Sequence, residues 1–280
     1  MFAAAVLHAT WNLSAKRAAG GDSLTFVWLM SLVSVAFALP FGVVSWVVQP
    51  PLLTPLAWIA VVGSGVVHSV YFLLLQQGYR HGDLSIVYPV ARGTGPLFAV
   101  LGAVVLLGEH PGAVGSLGIA AILVGIVLVS GVTQLQGRAG RWAGVGWGGL
   151  TGLWIATYTL VDAWAVTSLG LDPLVFFLLS LVFSALILVP WVLRDLDSVP
   201  RTWRETRRPI VVVGVLSPVA YTLILFALRL APLAYVAPLR ELSMMVAVLY
   251  GAWFLRERVS AVRLAGVVCM IAGVAALAVA

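Results

Sequence analysis

Cysteine occurs once, at Cys269, and lysine once, at Lys16. A single cysteine excludes an internal disulfide, a CxxC redox pair and a cysteine-based zinc site. Charge of either sign is scarce: Asp, Glu, Lys and Arg make up 9% of the chain, against about 25% in a soluble domain. The four histidines, at positions 8, 68, 81 and 110, are scattered, and neither HExxH nor GxSxG occurs. Hydrolysis or group transfer would need nucleophile, base and orienting group, or metal ligands, in one cluster. No catalytic residue, metal or cofactor is therefore expected, and the chain is not read as an enzyme. Its net charge of +6 comes without an aromatic-basic RNA motif, so nucleic acid is not an expected partner and a membrane explanation comes first.

What the chain has instead is oil. Hydrophobic residues make up 62%, and the mean hydropathy is +1.08. Such a composition cannot cover its apolar surface with polar groups, so lipid must be its solvent. Ten apolar segments emerge between short polar or Gly/Pro breaks, at about 1–15, 24–48, 56–79, 84–107, 112–133, 142–166, 173–193, 209–229, 233–255 and 260–280. They lack the two-residue alternation of a barrel strand, and helices satisfy their own backbone groups in lipid. The expectation is an all-α integral membrane protein of ten transmembrane helices. The first segment has no cationic region before it and no signal cleavage site, so it reads as a retained span. It is short against the roughly 20 residues a bilayer needs, by design or because a few upstream residues are missing.

The halves repeat. At an offset of 148, Arg92 aligns with Arg240, Leu107 with Leu255, Glu109 with Glu257, Gly118 with Gly266 and Gly125 with Gly273. Asp22 and Pro40 match Asp172 and Pro190 at a slightly larger offset. Five helices per half is an odd number, so the second copy must enter the bilayer from the opposite side. Inverted repeats of this kind recur in secondary transporters, with substrate sites near mid-membrane between the repeats. The expected units are residues 1–133 and 142–280, joined by a linker at 134–141.

Loops after odd-numbered segments hold 13 of the 16 cations, whereas the opposite side holds Arg229 alone. The positive-inside rule makes the crowded side cytoplasmic and leaves both termini outside. The largest loop, "RDLDSVPRTWRETRRP", reads as a basic linker or as an interfacial anchoring segment near anionic headgroups.

The opening "LHATWNLSAKR", the "VYPVAR…P…GE" stretch ending at Glu109 and the second copy "AYVAPLREL…FLRER" resemble the EamA family of the drug/metabolite transporter superfamily. The resemblance runs over essentially the whole chain as two EamA-type repeats. It implies a multi-pass protein of a bacterial inner membrane that transports without ATP hydrolysis, in many members as an exporter of amino acids or related metabolites. It also implies cytoplasmic termini, against the charge reading.

Arg92 lies eight or nine residues into the fourth segment, about 12–13 Å deep in a core of about 30 Å. A lone Arg there costs at least about 2.5–3.5 kcal/mol, so it needs water or a partner. It either clasps a substrate carboxylate as a fork or pairs permanently with Glu241. Pro89 and Pro96, with Gly93 and Gly95 between them, predict a kinked or locally unwound helix at this depth, and Pro238 marks the matching place in the second half. Arg240 and Glu241 point about 100° apart. Glu241 could neutralise Arg92 across the repeats and leave Arg240 for ligand, or the set could be a structural lock.

His8, Trp11 and Asn12 share a helix face, suited to an amphipathic metabolite or to an interfacial belt, while Lys16 snorkels. Tyr158 and Thr159 occupy the corresponding places in the second half. Asp162, one turn on, is a candidate proton or cation site or a partner for Arg240. Tyr71, Tyr88 and Tyr221 are candidate lining hydroxyls. His68 could titrate in a transport cycle, but reads first as a core histidine with one carbonyl partner. Glu109 and Glu257 read as caps or surface pairs, and the glycines spaced seven apart as close packing.

The leading expectation is a secondary transporter, as monomer or homodimer, of a small carboxylate-bearing metabolite such as an amino acid. Its cavity would sit among segments one, three, four, six, eight and nine, with protons as a possible coupling ion. Efflux of lipophilic cations is the alternative, and a non-transporting scaffold a weaker one.

Overall fold

A computed structural model describes residues 11, 14, 15, 18, 21–81, 84–130, 141–241 and 260–280, apart from the side chains of 84, 85, 89, 130 and 141. His8, Asn12, Lys16, Glu257 and residues 134–140 of the expected linker lie outside the described residues. The described residues form helices and no strand. In chain order these are α1 (Ser23–Val48), α2 (Pro55–His81), α3 (Leu84–Leu106), α4 (Gly112–Ser130), α5 (Arg141–Thr167), α6 (Pro173–Val192), α7 (Ser198–Leu228), α8 (Leu233–Arg240) and α9 (Ala261–Ala278). Seven of them are long and apolar enough to cross a membrane: α1, α2, α3, α4, α6, α7 and α9. The exceptions are α8, described to Arg240 only, and α5, whose 27 residues are long enough but are interrupted by Gly, Thr and Asp162.

The helices begin where short polar side chains satisfy the free amides of a first turn. Asp22 accepts from Leu24 N at 3.1 Å, and Asp172 accepts from Leu174 N and Val175 N at 3.1 Å each. These two caps are repeat equivalents. Their helices run antiparallel: late in α1, Gly42 faces Leu178 early in α6, and the start of α1 meets Ser198, which opens α7 just past the far end of α6. Ser45 Oγ donates to Asp172 Oδ1 at 2.8 Å, while Thr25 Oγ1 lies 2.8 Å from Ser198 Oγ.

Close backbone approaches repeat the same relation. A β-carbon on Gly65 of α2 would lie 2.8 Å from the Ser180 carbonyl of α6, and one on Gly214 of α7 would lie 2.9 Å from the Met30 carbonyl of α1. Gly118 faces Gly273 and Gly125 faces Gly266, early against late, so α4 and α9 cross antiparallel through glycines that are each other's equivalents. Each contact recurs with the halves exchanged, as a pseudo-two-fold axis across the helices demands.

Two expectations are corrected. The fourth segment stays helical from Leu84 to Leu106 through Gly93, Gly95 and Pro96, with no unwound stretch. Its glycines serve packing: Gly95 faces Ile155 and Gly102 faces Leu160, so α5 seats closely along α3 and supports the proline-interrupted backbone. The eighth segment starts before 209. Residues 198–208 are helical and continue into α7 past Thr206, whose φ of −127° and ψ of 20° break the helix just before Pro209. This leading piece exposes Arg201, Trp203, Arg204, Arg207 and Arg208, the pattern of an interfacial anchor rather than a loose loop.

Candidate functional site

Four charged side chains and one histidine are buried among the described residues: Arg92, Asp162, Arg240, Glu241 and His68. They form two neighbouring clusters. In the first, Arg92 of α3 donates through Nη1 to both oxygens of Glu241, at 2.8 and 2.9 Å. Glu241 closes the end of α8 in the second half and is 0% exposed, so this pairing joins the two halves. Arg240 Nε donates to the same carboxylate at 3.4 Å, and its Nη1 lies 3.4 Å from Thr159 Oγ1 of α5. Arg92 packs over the Tyr88 ring at 5.3 Å and Arg240 over Tyr158 at 6.0 Å, contacts that shelter guanidinium faces from lipid.

Glu241 therefore neutralises Arg92 across the repeats. Arg240 also reaches the same carboxylate and Thr159, each at 3.4 Å. The reason is geometric: near a helix end, two adjacent long side chains can fold toward one centre despite the 100° between their Cβ directions.

The second cluster differs from expectation. Asp162 Oδ2 accepts from Tyr221 OH at 2.6 Å and faces His68 Nε2 at 2.8 Å. Its partners are thus α2 and α7 rather than Arg240, and the partner of His68 is a carboxylate rather than a carbonyl. Asp162 Oδ1 has no hydrogen-bond partner among the described residues. His68 stacks on Tyr158 at 4.4 Å and meets Tyr221 edge-on at 5.1 Å. Tyr158 touches both clusters.

A cavity of about 30 Å³, room for about two waters, opens beside the second cluster. Aromatic side chains (Trp11, Tyr71, Tyr158, Phe177 and Tyr221) share its wall with His68 and serines 31, 34, 184 and 217. Trp11 is thus a wall residue, 2% exposed, rather than part of an interfacial belt. The wall draws on α1 and α6, which the expected set of helices omitted, and Arg92 and Arg240 stand behind it rather than in it. Phe177 and Pro218 also line an apolar groove of about 250 Å³ between α1, α6 and α7, where Phe41 and Phe226 are exposed.

Of the expected site residues, Trp11, Tyr88, Arg92, Tyr158, Asp162, Arg240 and Glu241 come together in or against this assembly; His8 and Asn12 lie outside the described residues. Pro238 sits in α8, one turn before Glu241, whose amide bonds the Pro238 carbonyl at 3.0 Å. Reasoning from sequence missed His68 as a partner of Asp162. The signal available was a polar residue mid-span in each half, without a code for which pair would meet. Glu109 is a cap, as read, but for another helix: its two oxygens accept from Leu233 N at 2.8 Å and Ala234 N at 2.7 Å, which starts α8.

The model of the EamA-like transporter family matches residues 1–131 and 142–279, each half separately. No curated protein matches the chain. A solved structure described only as a crystal structure of a protein aligns with a TM-score of 0.71 at 15% identity, covering 98% of this chain and 93% of its own. At that identity the likeness concerns the fold.

Proposed function

Because this chain belongs to the EamA-like transporter family, a family of membrane transporters, we propose that it is a ten-helix secondary exporter of a small carboxylate-bearing metabolite such as an amino acid. The two units, 1–133 and 142–280, would rock about the pseudo-two-fold axis as inverted repeats in a bacterial inner membrane. The observation that carries the substrate class is the buried Arg92–Glu241–Arg240 set, two cations on one carboxylate at the seam between the halves. Such a set holds one positive charge in excess, and a substrate carboxylate can take the place of Glu241 on either guanidinium. Release of Glu241 would loosen the contact between α3 and α8, coupling occupancy to movement of the halves.

One observation favours a second reading, efflux of lipophilic cations. The cavity wall is aromatic, Asp162 lies behind it, and the groove beside Phe177 and Pro218 faces the apolar exterior. A thermal-shift screen of the purified protein against amino acids, organic acids and cationic dyes decides between them. A ligand at about 100 times its Kd stabilises by about 2.7 kcal/mol, a readable shift. Carboxylates are expected to stabilise the protein, and Arg92→Ala to abolish that effect. Stabilisation by cations alone, unchanged in Arg92→Ala/Arg240→Ala, would overturn the carboxylate reading.

A further inference from the structure

Among the described residues, the buried charged groups balance when His68 is neutral: Arg92 and Arg240 against Asp162 and Glu241. The balance is divided unevenly in space. The arginine cluster carries one positive charge in excess, and the Asp162–His68–Tyr221 cluster carries one negative charge. The two are linked through α5, where Thr159 meets Arg240 and Asp162 follows one turn later. Tyr158, on the same helix, stacks on His68 and lies under Arg240. The two clusters thus meet at Tyr158.

Two groups touch Asp162: His68 of α2 and Tyr221 of α7. Tyr158 of α5 packs on both of them, and around Tyr158 stand Tyr71 of α2, Arg92 of α3, and Arg240 with Glu241 at α8. Imidazole is the side-chain type among them suited to exchanging protons with water at physiological pH. His68 also lines the cavity, so water there can deliver a proton to the imidazole, whereas Asp162 lies sealed behind it. Asp162 Oδ1, buried and without a hydrogen-bond partner among the described residues, is a second place for that proton.

We propose that the His68–Asp162 pair is a proton site whose occupancy controls carboxylate binding at the arginines. One proton, taken from water in the cavity, converts the pair from one negative charge to neutral. The buried set then carries one positive charge, and a bound carboxylate restores balance. Proton and carboxylate thus favour each other, and linkage requires the effect to be reciprocal. As a transport cycle this is co-movement: a metabolite leaving down its own gradient takes a proton with it. The inference rests on the carboxylate reading above.

The test uses the full chain in nanodiscs, with benzoate and L-phenylalanine as probes. Each carries an aromatic ring for the cavity wall and a carboxylate whose charge is constant across the range. Both should bind about tenfold tighter near pH 5.5 than near pH 8, with uptake of one proton per molecule bound, read by an indicator dye. Asp162→Asn fixes the pair in its neutral state, so it should bind at the higher affinity at both pH values and take up no proton. A merely structural Asp162 would instead give weaker binding throughout, which overturns the proposal. Equal affinity at both pH values without proton uptake in the unaltered chain also overturns it, while leaving the carboxylate reading standing. If neither probe binds, the carboxylate reading falls, and infrared difference spectra of the ligand-free protein decide the proton site. A carboxyl or imidazolium band between the two pH values, removed by Asp162→Asn, supports the site; absence of such a band overturns it.

Discussion

Gly125 and Gly266 touch backbone to backbone: a β-carbon on Gly125 would lie 2.6 Å from the Gly266 carbonyl, and one on Gly266 would lie 2.8 Å from the Gly125 carbonyl. The contact is self-complementary, because the sequence aligns Gly118 with Gly266 and Gly125 with Gly273, while space pairs Gly118 with Gly273. Gly125→Leu must therefore part α4 from α9. Its expected cost is about 1–3 kcal/mol, seen as a lower melting temperature of the purified protein. Gly125→Leu melting with the parent would mean that the helices are not this close.

The Arg92–Glu241 pair is cut off from water on both sides, with side-chain exposures of 4% and 0%. Removing Glu241 strands two cations, whereas removing Arg92 leaves Glu241 its contact with Arg240. Glu241→Ala should destabilise by about 3–5 kcal/mol and Arg92→Ala by less, and Arg92→Met/Glu241→Leu together should cost less than the sum of the two single losses. Additive losses in chemical unfolding would show that the two side chains do not depend on each other.

Glu109, in the turn between α3 and α4, starts α8 of the opposite half. Glu109→Ala removes the acceptor for two amides and should cost about 0.5–2 kcal/mol. Hydrogen exchange gives the local check: the Leu233 and Ala234 amides should exchange faster, with little change in α1. Unaltered protection at both amides would rule out the cap.

Tyr221→Phe keeps the ring that packs on His68 and deletes only the hydroxyl that donates to Asp162. A hydrogen bond to a charged group is worth about 1.5–3 kcal/mol, so the variant should melt lower than the parent, by more than Tyr235→Phe at the half-buried Pro111 carbonyl. An equal effect of the two substitutions would argue against a charged Asp162 at this site.

Much of the molecule was legible in its string of residues. Mean hydropathy announced lipid, and the recurrence of Arg92, Glu109, Gly118 and Gly125 announced two copies. Asp22 and Asp172 could be matched before either was seen to cap a helix. Pro89, Gly93, Gly95 and Pro96 left a kink and an unwound stretch open, and the backbone stayed helical, because a proline removes one amide bond but neighbouring helices decide whether the backbone opens, and α5 packs closely along α3. The charged loop before Pro209 was legible as an interfacial anchor but not as helix, although the spacing of its arginines fits one exposed face.

Composition and internal offset are properties of the chain alone, so the solvent, the helical class and the doubling were determined without any coordinates. The partners of the buried charges were not. Asp162 could have met Arg240, its neighbour across α5, and instead met His68, 94 positions away, while Arg92 reached Glu241 across 149. A buried ion settles on whatever opposite group the packing of separate helices brings within about 3 Å, and no periodicity along one helix records the rotation and depth of the next. That choice belonged to the tertiary structure.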